Sequence, residues 1–306
     1  MISRRQLLAA SAAAASMCAL QPTLAQAAAS TDIITKAIPS SHERLPVIGM
    51  GSSRTFDKQL DDDTRVRLGQ VLSVFFEHGG TLIDSSPMYG DAESVLGELF
   101  ATASARGKVF AATKVWTDGQ RQGVEQMQRS LQRMRVARFD LMQIHNLRDW
   151  SNHLQTLKAW KAEGKIRYLG VTTSHGRDHR QLEDLLRNHP FDFVQLSYSI
   201  ANRDVERRLL PLAMERGIAV IANRPFERGQ LFAQVRGKPL PPWASEYGIH
   251  SWGQLFLKYV VSHPAITCAI PATAKPKHMR DNMGALLGHL PEAALRQEMQ
   301  RYMAQL

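Results

Sequence analysis

Eight short apolar runs recur along the chain, most of them about thirty residues apart, and stretches with helical periodicity separate them. The runs are apolar at nearly every position, as strands are when both faces of their sheet are covered. We therefore predict eight strands that alternate with helices. The predicted strands are Val47–Met50, Thr81–Asp84, Val109–Lys114, Phe139–His145, Tyr168–Val171, Phe193–Leu196, Ile218–Ala222 and Ile266–Ile270.

Eight strands alternating with helices in roughly 260 residues predict a single-domain (β/α)8 barrel, the TIM barrel of the α/β class. The main competitor is a doubly wound open sheet, which usually carries a Gly-rich loop after its first strand. Here Gly49–Arg54 lacks the third glycine and does not lead directly into a helix. The longest connection, from Asn223 to Ile266, is rich in proline and is predicted to cover a substrate or cofactor at the rim.

Residues 1–29 have the pattern of a targeting segment. Arg4 and Arg5 form a twin-arginine start, an Ala-rich stretch follows, and Ala25-Gln26-Ala27 fits an A-x-A cleavage site. We predict a twin-arginine signal peptide, export of the folded protein to the periplasm by the twin-arginine machinery, and a barrel over residues 30–306. The alternative is an amphipathic or transmembrane N-terminal helix, but the stretch is short and Ala-rich for a span. No stable membrane span is predicted in the mature chain.

The chain is basic, with a formal net charge of +10 at pH 7. Its arginines and lysines are scattered along predicted helices rather than gathered in one dense run, which favours a solvated basic surface over a nucleic-acid site. Cys268 is the one cysteine of the predicted mature chain, so no intramolecular disulfide is expected there. The eleven histidines are dispersed without metal-ligand spacing, and no metal site is predicted.

Three of the predicted strands end on a polar residue, namely Asp84, Lys114 and His145. A fourth polar residue, Tyr89, follows Asp84 in a Pro-Met-Tyr-Gly turn. Because successive parallel strands place their C-terminal ends on one rim, we expect the four side chains to converge. A buried carboxylate needs a cationic partner, and a buried ammonium needs a carboxylate, so we predict that Asp84 pairs with Lys114.

This group of side chains suits proton transfer to an oxygen that becomes negative. The phenol of Tyr89 has an ordinary pKa near ~10, and a nearby ammonium is expected to lower that pKa. Asp84 would keep Lys114 in place and charged, while His145 would orient a bound carbonyl or relay the proton. Reduction of a carbonyl by hydride needs this combination, and the hydride must come from a cofactor.

The chain resembles the aldo-keto reductases over roughly residues 40–290. Leu45–Gly51 is similar to the family's opening strand, and Ile83–Gly90 is similar to its Asp-to-Tyr motif at the right spacing. Thr113-Lys114 and Gln143-Ile144-His145 match the remaining two catalytic positions. The resemblance implies a NAD(P)-dependent oxidoreductase acting on the CH–OH group of donors, which reduces an aldehyde or ketone to an alcohol.

The resemblance implies that Tyr89 is the general acid–base, that Lys114 and Asp84 tune the pKa of Tyr89, and that His145 orients the substrate. The resemblance also implies a set of residues that bind the nicotinamide cofactor. They are Ser52, Thr172, Thr173, Gln195, Asn223, Arg224, Pro225, Phe226, Pro271, Thr273, Lys275, His278 and Asn282.

Several of these cofactor positions depart from the usual family residues. Thr173 stands where an Asn usually holds the nicotinamide amide, and Asn223 cannot stack on the nicotinamide as a Tyr would. Arg224 can instead pair with the pyrophosphate through charge-assisted hydrogen bonds. Thr273 and Lys275 are expected to meet a 2′-phosphate at a helix N-terminus, so the resemblance favours NADP over NAD.

Two other classes of function stay open at this point. One is a cofactor-bound sensor or interaction subunit with little turnover, which would keep the same catalytic group. The other is a different barrel enzyme, such as a sugar isomerase or a hydrolase, which would normally need a metal cluster or paired catalytic carboxylates. The sequence does not identify the small-molecule carbonyl substrate. Candidates for the pocket walls are Trp116, Trp150, Phe226 and Trp243.

Overall fold

A computed structural model describes residues 33–102 and 109–306 of the chain. The predicted signal peptide, residues 1–29, lies outside the described residues. Within the described ranges, no helix is long and apolar enough to cross a membrane.

The described residues form a barrel of eight parallel strands, from β3 (Met50–Gly51) to β10 (Ile266–Ala269), that pair in sequence order. Two parallel bridges, Ile48 with Ala269 and Gly51 with Ala272, connect the first and last strands and close the ring. An antiparallel hairpin of β1 (Thr35–Ala37) with β2 (Arg44–Pro46) precedes the barrel. The strands are β1 Thr35–Ala37, β2 Arg44–Pro46, β3 Met50–Gly51, β4 Leu82–Asp84, β5 Phe110–Val115, β6 Phe139–Ile144, β7 Ile166–Thr172, β8 Phe193–Ser197, β9 Ala219–Asn223 and β10 Ile266–Ala269. The predicted (β/α)8 barrel is confirmed.

Helices connect the barrel strands and cover the outer face of the sheet. Asp61 caps the first of them by accepting the Thr64 N–H at 2.7 Å. The helical period of Val205–Met214 predicts one helix, but the structure has a short 3-10 turn followed by a helix from Leu209. Pro211 lies in the first turn of that helix, where its missing N–H leaves no helical hydrogen bond unmade. The helices are α1 Asp62–Glu77, α2 Ala92–Thr102, α3 Gln120–Met134, α4 Trp150–Ala162, α5 His179–Asn188, α6 Leu209–Glu215, α7 Gln230–Gln234, α8 Trp252–Val261, α9 Pro276–Gly284 and α10 Ala293–Ala304.

Apolar side chains fill the N-terminal half of the barrel interior. Phe110, Tyr168 and Phe193 form a layer there, with ring centroids 5.4 to 6.1 Å apart. The β1–β2 hairpin closes this end, because Glu43 in its turn accepts hydrogen bonds from Arg167 and from the Tyr168 hydroxyl. The predicted strands did not include this hairpin.

The inward-facing positions change from apolar to polar toward the C-terminal ends of the strands. In β4, β5 and β6 the apolar Leu82, Ala112 and Leu141 line the interior. Two residues further along these strands stand Asp84, Lys114 and Gln143, and side chains two residues apart point to the same face of a sheet. The period of the strand therefore directs these polar groups into the open end of the barrel.

Candidate active site

Lys114 and Asp84 form a buried ion pair at the C-terminal end of the barrel. Lys114 is fully buried and Asp84 is 2% exposed, and Lys114 Nζ lies 2.5 Å from Asp84 Oδ2. The ammonium also donates to the carbonyl of Ser85 at 2.7 Å. Burial lowers the pKa of Lys114, but the Asp84 carboxylate and Tyr89 outweigh burial, so the pKa lies above the ordinary value of 10.5. Lys114 is therefore a permanent cation, and the predicted pairing is confirmed.

Two amide side chains hold the second carboxylate oxygen of Asp84. Gln143 Nε2 donates to Asp84 Oδ1 at 2.9 Å, and Gln195 Nε2 donates to the same oxygen at 3.1 Å. Gln195 Nε2 also lies 3.2 Å from Gln143 Oε1. Because both oxygens accept hydrogen bonds, the carboxylate is held in one orientation. This orientation fixes the position of the Lys114 ammonium.

Tyr89 lies next to this ion pair, on the turn that follows β4. Its N–H donates to the carbonyl of Ser86 at 3.0 Å, and Lys114 Nζ lies 5.2 Å from the centre of its ring. Burial raises the pKa of Tyr89 above its ordinary value of 10.0, and the Lys114 ammonium only partly offsets this. The expected net lowering of this pKa is therefore wrong, because removing the phenolate from water costs more than the ammonium returns.

His145 faces Tyr89 across the mouth of the barrel. The two rings meet edge to face with their centres 5.9 Å apart, and His145 Nδ1 lies 3.0 Å from Ser86 Oγ. Burial, together with the Lys114 ammonium, lowers the pKa of His145 from 6.5 to about 2, so the imidazole is neutral. The backbone turns sharply after it, since Asn146 and Leu147 have φ of 53° and 56°, a conformation that is strained for a leucine.

Of the four predicted wall aromatics, only Trp116 adjoins this group within the described residues. Its ring centre lies 6.4 Å from that of His145, and the guanidinium of Arg148 stacks on it at 4.8 Å. Trp150 instead packs on His189, Phe226 on Phe232 and Phe256, and Trp243 on Tyr247. Trp116 is therefore the aromatic wall beside the phenol.

A polar chain continues from the ion pair across the ends of β7 to β9. Asn223 Nδ2 lies 3.3 Å from both Gln195 Oε1 and the carbonyl of Thr173, and Asn223 Oδ1 accepts from Ser197 Oγ at 2.7 Å. Thr172 accepts the Asn146 N–H at 3.2 Å. The buried Oγ1 of Thr173 has no hydrogen-bond partner among the described residues. A buried hydroxyl without a partner is costly, so this site fits a polar group that arrives with a ligand.

The charges of four arginines act on His175 at the same end of the barrel: Arg54, Arg177, Arg224 and Arg228, which we call the arginine cluster. Burial and these four cations lower the pKa of His175. None of the four guanidinium groups forms an ion pair with a carboxylate in the described part of the chain. The buried Nε of Arg224 also has no hydrogen-bond partner there. Unneutralised cations with a free donor fit an anionic ligand.

The segment that follows β10 brings the remaining polar candidates to the start of α9. Thr273 Oγ1 accepts the Lys275 N–H at 3.1 Å, and Lys275 is the residue before the first turn of the helix. Lys275 and His278 are exposed, whereas Asn282 is buried. An exposed helix N-terminus with a lysine beside it favours an anion.

The other predicted cofactor residues are largely packed into the protein. The hydroxyl of Ser52 is buried and donates to the carbonyl of Asp84 at 3.0 Å. Pro225 and Pro271 are buried, and the carbonyl of Pro271 accepts the Gly51 N–H at 3.1 Å. Phe226 packs on Phe232 and Phe256. These residues shape the loops that carry the polar candidates.

The sequence profile of the Aldo/keto reductase family matches residues 47–297. The chain belongs to this family. It is therefore an oxidoreductase that acts on the CH–OH group of donors.

Individual aldo-keto reductases resemble the chain over most of their length. Methylglyoxal reductase YeaE of Escherichia coli (strain K12) is 31% identical over 265 residues, which covers 82% of this chain and 89% of that protein. An aldo-keto reductase of Klebsiella pneumoniae, solved in complex with NADPH, has a TM-score of 0.68 and 25% identity, covering 89% of this chain and 96% of that one. Aldo-keto reductase AKR11C1 of Bacillus halodurans, in its holo form, has a TM-score of 0.73 at 20% identity, covering 88% and 96%.

The aldo-keto reductase barrel brings the four predicted catalytic residues into one group. It also places Thr173, Gln195, Asn223 and Arg224 at the same end. Gln143 and Ser86, which contact Asp84 and His145, were not among the predicted site residues. A signal existed for Gln143, because an amide inside a strand covered on both faces must have a hydrogen-bond partner.

Proposed function

We propose that the protein is an NADP-dependent reductase that converts an aldehyde or ketone into an alcohol, with Tyr89 as the general acid. The observation that carries this proposal is the Lys114 ammonium, which pairs with Asp84 and lies 5.2 Å from the Tyr89 ring. A neutral His145 faces the same phenol. Together these groups can bind a carbonyl oxygen and protonate it.

The proton chemistry follows from the charges. Because the pKa of Tyr89 is raised, its phenol keeps its proton at neutral pH and donates a hydrogen bond to the carbonyl oxygen. A ring N–H of His145 donates to the same oxygen and fixes its direction. As negative charge develops on the oxygen, the Tyr89 proton moves to it, and the Lys114 ammonium stabilises the phenolate left behind. In the reverse direction the phenolate accepts the alcohol proton.

The residues at this end of the barrel fit nicotinamide adenine dinucleotide phosphate (NADP). The partnerless hydroxyl of Thr173, with Gln195 and Asn223 beside it, suits the carboxamide of the nicotinamide. Arg224 and the other members of the arginine cluster suit the pyrophosphate, and Lys275 with the N-terminus of α9 suits the 2′-phosphate. When bound, NADPH supplies the hydride, which no side chain can provide. The related Klebsiella pneumoniae enzyme, solved with NADPH, supports this choice.

Oxidation of NADPH and NADH against a panel of carbonyl compounds tests the proposal. We expect turnover with NADPH and a lower kcat/KM with NADH. The panel should include methylglyoxal, because a related protein bears the name methylglyoxal reductase, and aromatic aldehydes, because the ring of Trp116 lies beside His145. A stably bound cofactor with negligible turnover on every carbonyl would instead favour the sensor or interaction subunit.

Replacing Arg224 by Ala should weaken NADPH binding roughly tenfold or more, since a hydrogen bond to a charged group contributes ~1.5–3 kcal/mol. Among the described residues the guanidinium forms no ion pair with a carboxylate, so its loss removes binding energy without breaking an ion pair. The dissociation constant can be measured by quenching of tryptophan fluorescence. Arg129→Ala, an exposed arginine on α3, is the control and should leave the affinity unchanged. Equal affinities for the two variants would contradict the role of Arg224.

The N-terminal residues support a further part of the proposal, namely export of the folded protein to the periplasm through the twin-arginine machinery. Residues 1–29 would be the signal peptide and residues 30–306 the barrel domain. Replacing Arg4 and Arg5 together by Lys should keep the full-length precursor in the cytoplasm, because the arginine pair is the recognised feature. Cell fractionation and immunoblotting measure this. An unchanged periplasmic fraction would contradict the proposed route.

An exported reductase lacks a ready supply of reduced nicotinamide. We therefore propose that the protein crosses the membrane with its cofactor bound and recycles it with a second substrate. The arginine cluster supports tight retention. Protein purified from the periplasm should carry nucleotide, released on denaturation and identified by mass spectrometry, whereas a wholly cofactor-free protein would contradict retention.

A further inference from the structure

The hydroxyl of Ser86 contacts the imidazole of His145, and the proposed function assigns no role to this contact. Its hydroxyl oxygen lies 3.0 Å from His145 Nδ1, and both side chains are buried. The same oxygen accepts the N–H of Met88 at 3.3 Å. Ser86 therefore connects the turn that carries Tyr89 to the imidazole that faces Tyr89.

The hydrogen-bond donors and acceptors around His145 decide which ring nitrogen carries the proton. If His145 were protonated at Nδ1, Ser86 Oγ would accept both that N–H and the Met88 N–H. The Ser86 hydroxyl hydrogen would then have no acceptor among the described residues, and a buried donor left without a partner is costly. If His145 is protonated at Nε2, the Ser86 hydroxyl donates to Nδ1 and every group is satisfied. None of the described residues provides a hydrogen-bond partner for Nε2, so its N–H is free for a ligand.

We propose that Ser86 is a positioning residue that holds His145 in its Nε2–H tautomer, so that His145 donates a hydrogen bond to the substrate carbonyl oxygen. The inference rests on the proposed function for its catalytic consequence, but the tautomer itself does not depend on turnover. The neutral charge of the imidazole agrees with it, because burial and Lys114 keep the pKa of His145 at about 2. Tautomer control by a partner on the other ring nitrogen is a general property of histidine sites.

Nuclear magnetic resonance of the full chain labelled with 15N-histidine tests the tautomer directly. The signal of His145 is assigned as the one that His145→Gln removes. In the unaltered protein we expect a protonated Nε2 and an unprotonated, hydrogen-bonded Nδ1. A protonated Nδ1 would overturn the proposal, whatever the variants do.

Ser86→Ala should shift the Nδ1 resonance toward that of a nitrogen without a hydrogen bond and allow the Nδ1–H tautomer to appear. It should lower kcat for carbonyl reduction about threefold to tenfold, the effect of one hydrogen bond, while the NADPH dissociation constant stays within about twofold. Ser85→Ala is the matched control. Ser85 is an adjacent, equally buried serine whose hydroxyl contacts Ser52 and not His145, so the His145 spectrum should stay unchanged.

An unchanged His145 spectrum in Ser86→Ala, or an equal change in Ser85→Ala, would overturn the proposal. These outcomes are distinct from failure of the proposed function. If no carbonyl compound is reduced, the proposed function fails, while the spectra still decide the role of Ser86.

Discussion

Tyr89→Phe should bind NADPH with unchanged affinity and lose about 10²- to 10⁴-fold of its turnover, the range supplied by a positioned general acid. The substitution removes one oxygen and keeps the ring that lies over Lys114 and against His145. The fold and the cofactor contacts should therefore persist, because Lys114 keeps its hydrogen bonds to Asp84 and to the carbonyl of Ser85. The measurements are kcat for carbonyl reduction at saturating NADPH and the NADPH dissociation constant.

Tyr302→Phe is the control for this prediction. Tyr302 lies on α10 and donates to the carbonyl of Pro239 at 3.4 Å, so its loss removes a phenol hydroxyl outside the catalytic group. Its kcat should equal that of the unaltered protein. Retention of more than about a tenth of the activity by Tyr89→Phe would take Tyr89 out of the chemistry.

The same phenol predicts the pH dependence of the two reaction directions. With Tyr89 as the proposed general acid, reduction needs the protonated phenol, and the pKa of Tyr89 is raised above 10.0, so kcat for reduction should stay flat through neutral pH. Alcohol oxidation needs the phenolate, so its kcat should rise with pH. The pKa of His145 is about 2, and no ionisation near 6.5 should appear in either profile. A transition near 6.5 that His145→Gln removes would contradict the neutral imidazole.

The convergence of Asp84, Lys114 and His145 could be predicted from the sequence because one rule of chain geometry governs it. Parallel strands linked by helices put their C-terminal ends on one rim, and the period of two along each strand sets which side chains point inward. Asp84 and Lys114 also had to meet, since neither charge can be buried alone. The period of the strands and the cost of burying a lone charge therefore predict the same pairing of Asp84 with Lys114.

Properties that depend on distances between remote segments could not be predicted in this way. The direction of the Tyr89 pKa depends on how far burial outweighs the ammonium, and a sequence carries no measure of that balance. The arginine cluster comes from three separate loops, so the resemblance pointed to Arg224 and assigned no role to Arg54, Arg177 or Arg228. The β1–β2 hairpin has strands of only three residues each, too short to show an apolar alternation.

Lys114→Met should lower the free energy of unfolding by about 3–5 kcal/mol, because it leaves the Asp84 carboxylate buried without its cation. Asp84 is 2% exposed, and the amides of Gln143 and Gln195 cannot neutralise its charge. Turnover should be lost as well, since no ammonium remains to stabilise the Tyr89 phenolate. Urea unfolding at constant m-value measures the change in stability.

The double variant Lys114→Met/Asp84→Asn separates stability from catalysis. Asn removes the uncompensated charge and keeps an oxygen that accepts from Gln143 and Gln195, so most of the lost stability should return while turnover stays absent. Arg65→Met, which breaks an exposed ion pair of Arg65 with Glu98 at 2.8 Å, is the control and should cost about 0–1 kcal/mol. If Lys114→Met costs no more than this control, Asp84 and Lys114 do not depend on each other. If the double variant regains turnover, the phenolate does not need the ammonium, and the proposed role of Lys114 is wrong.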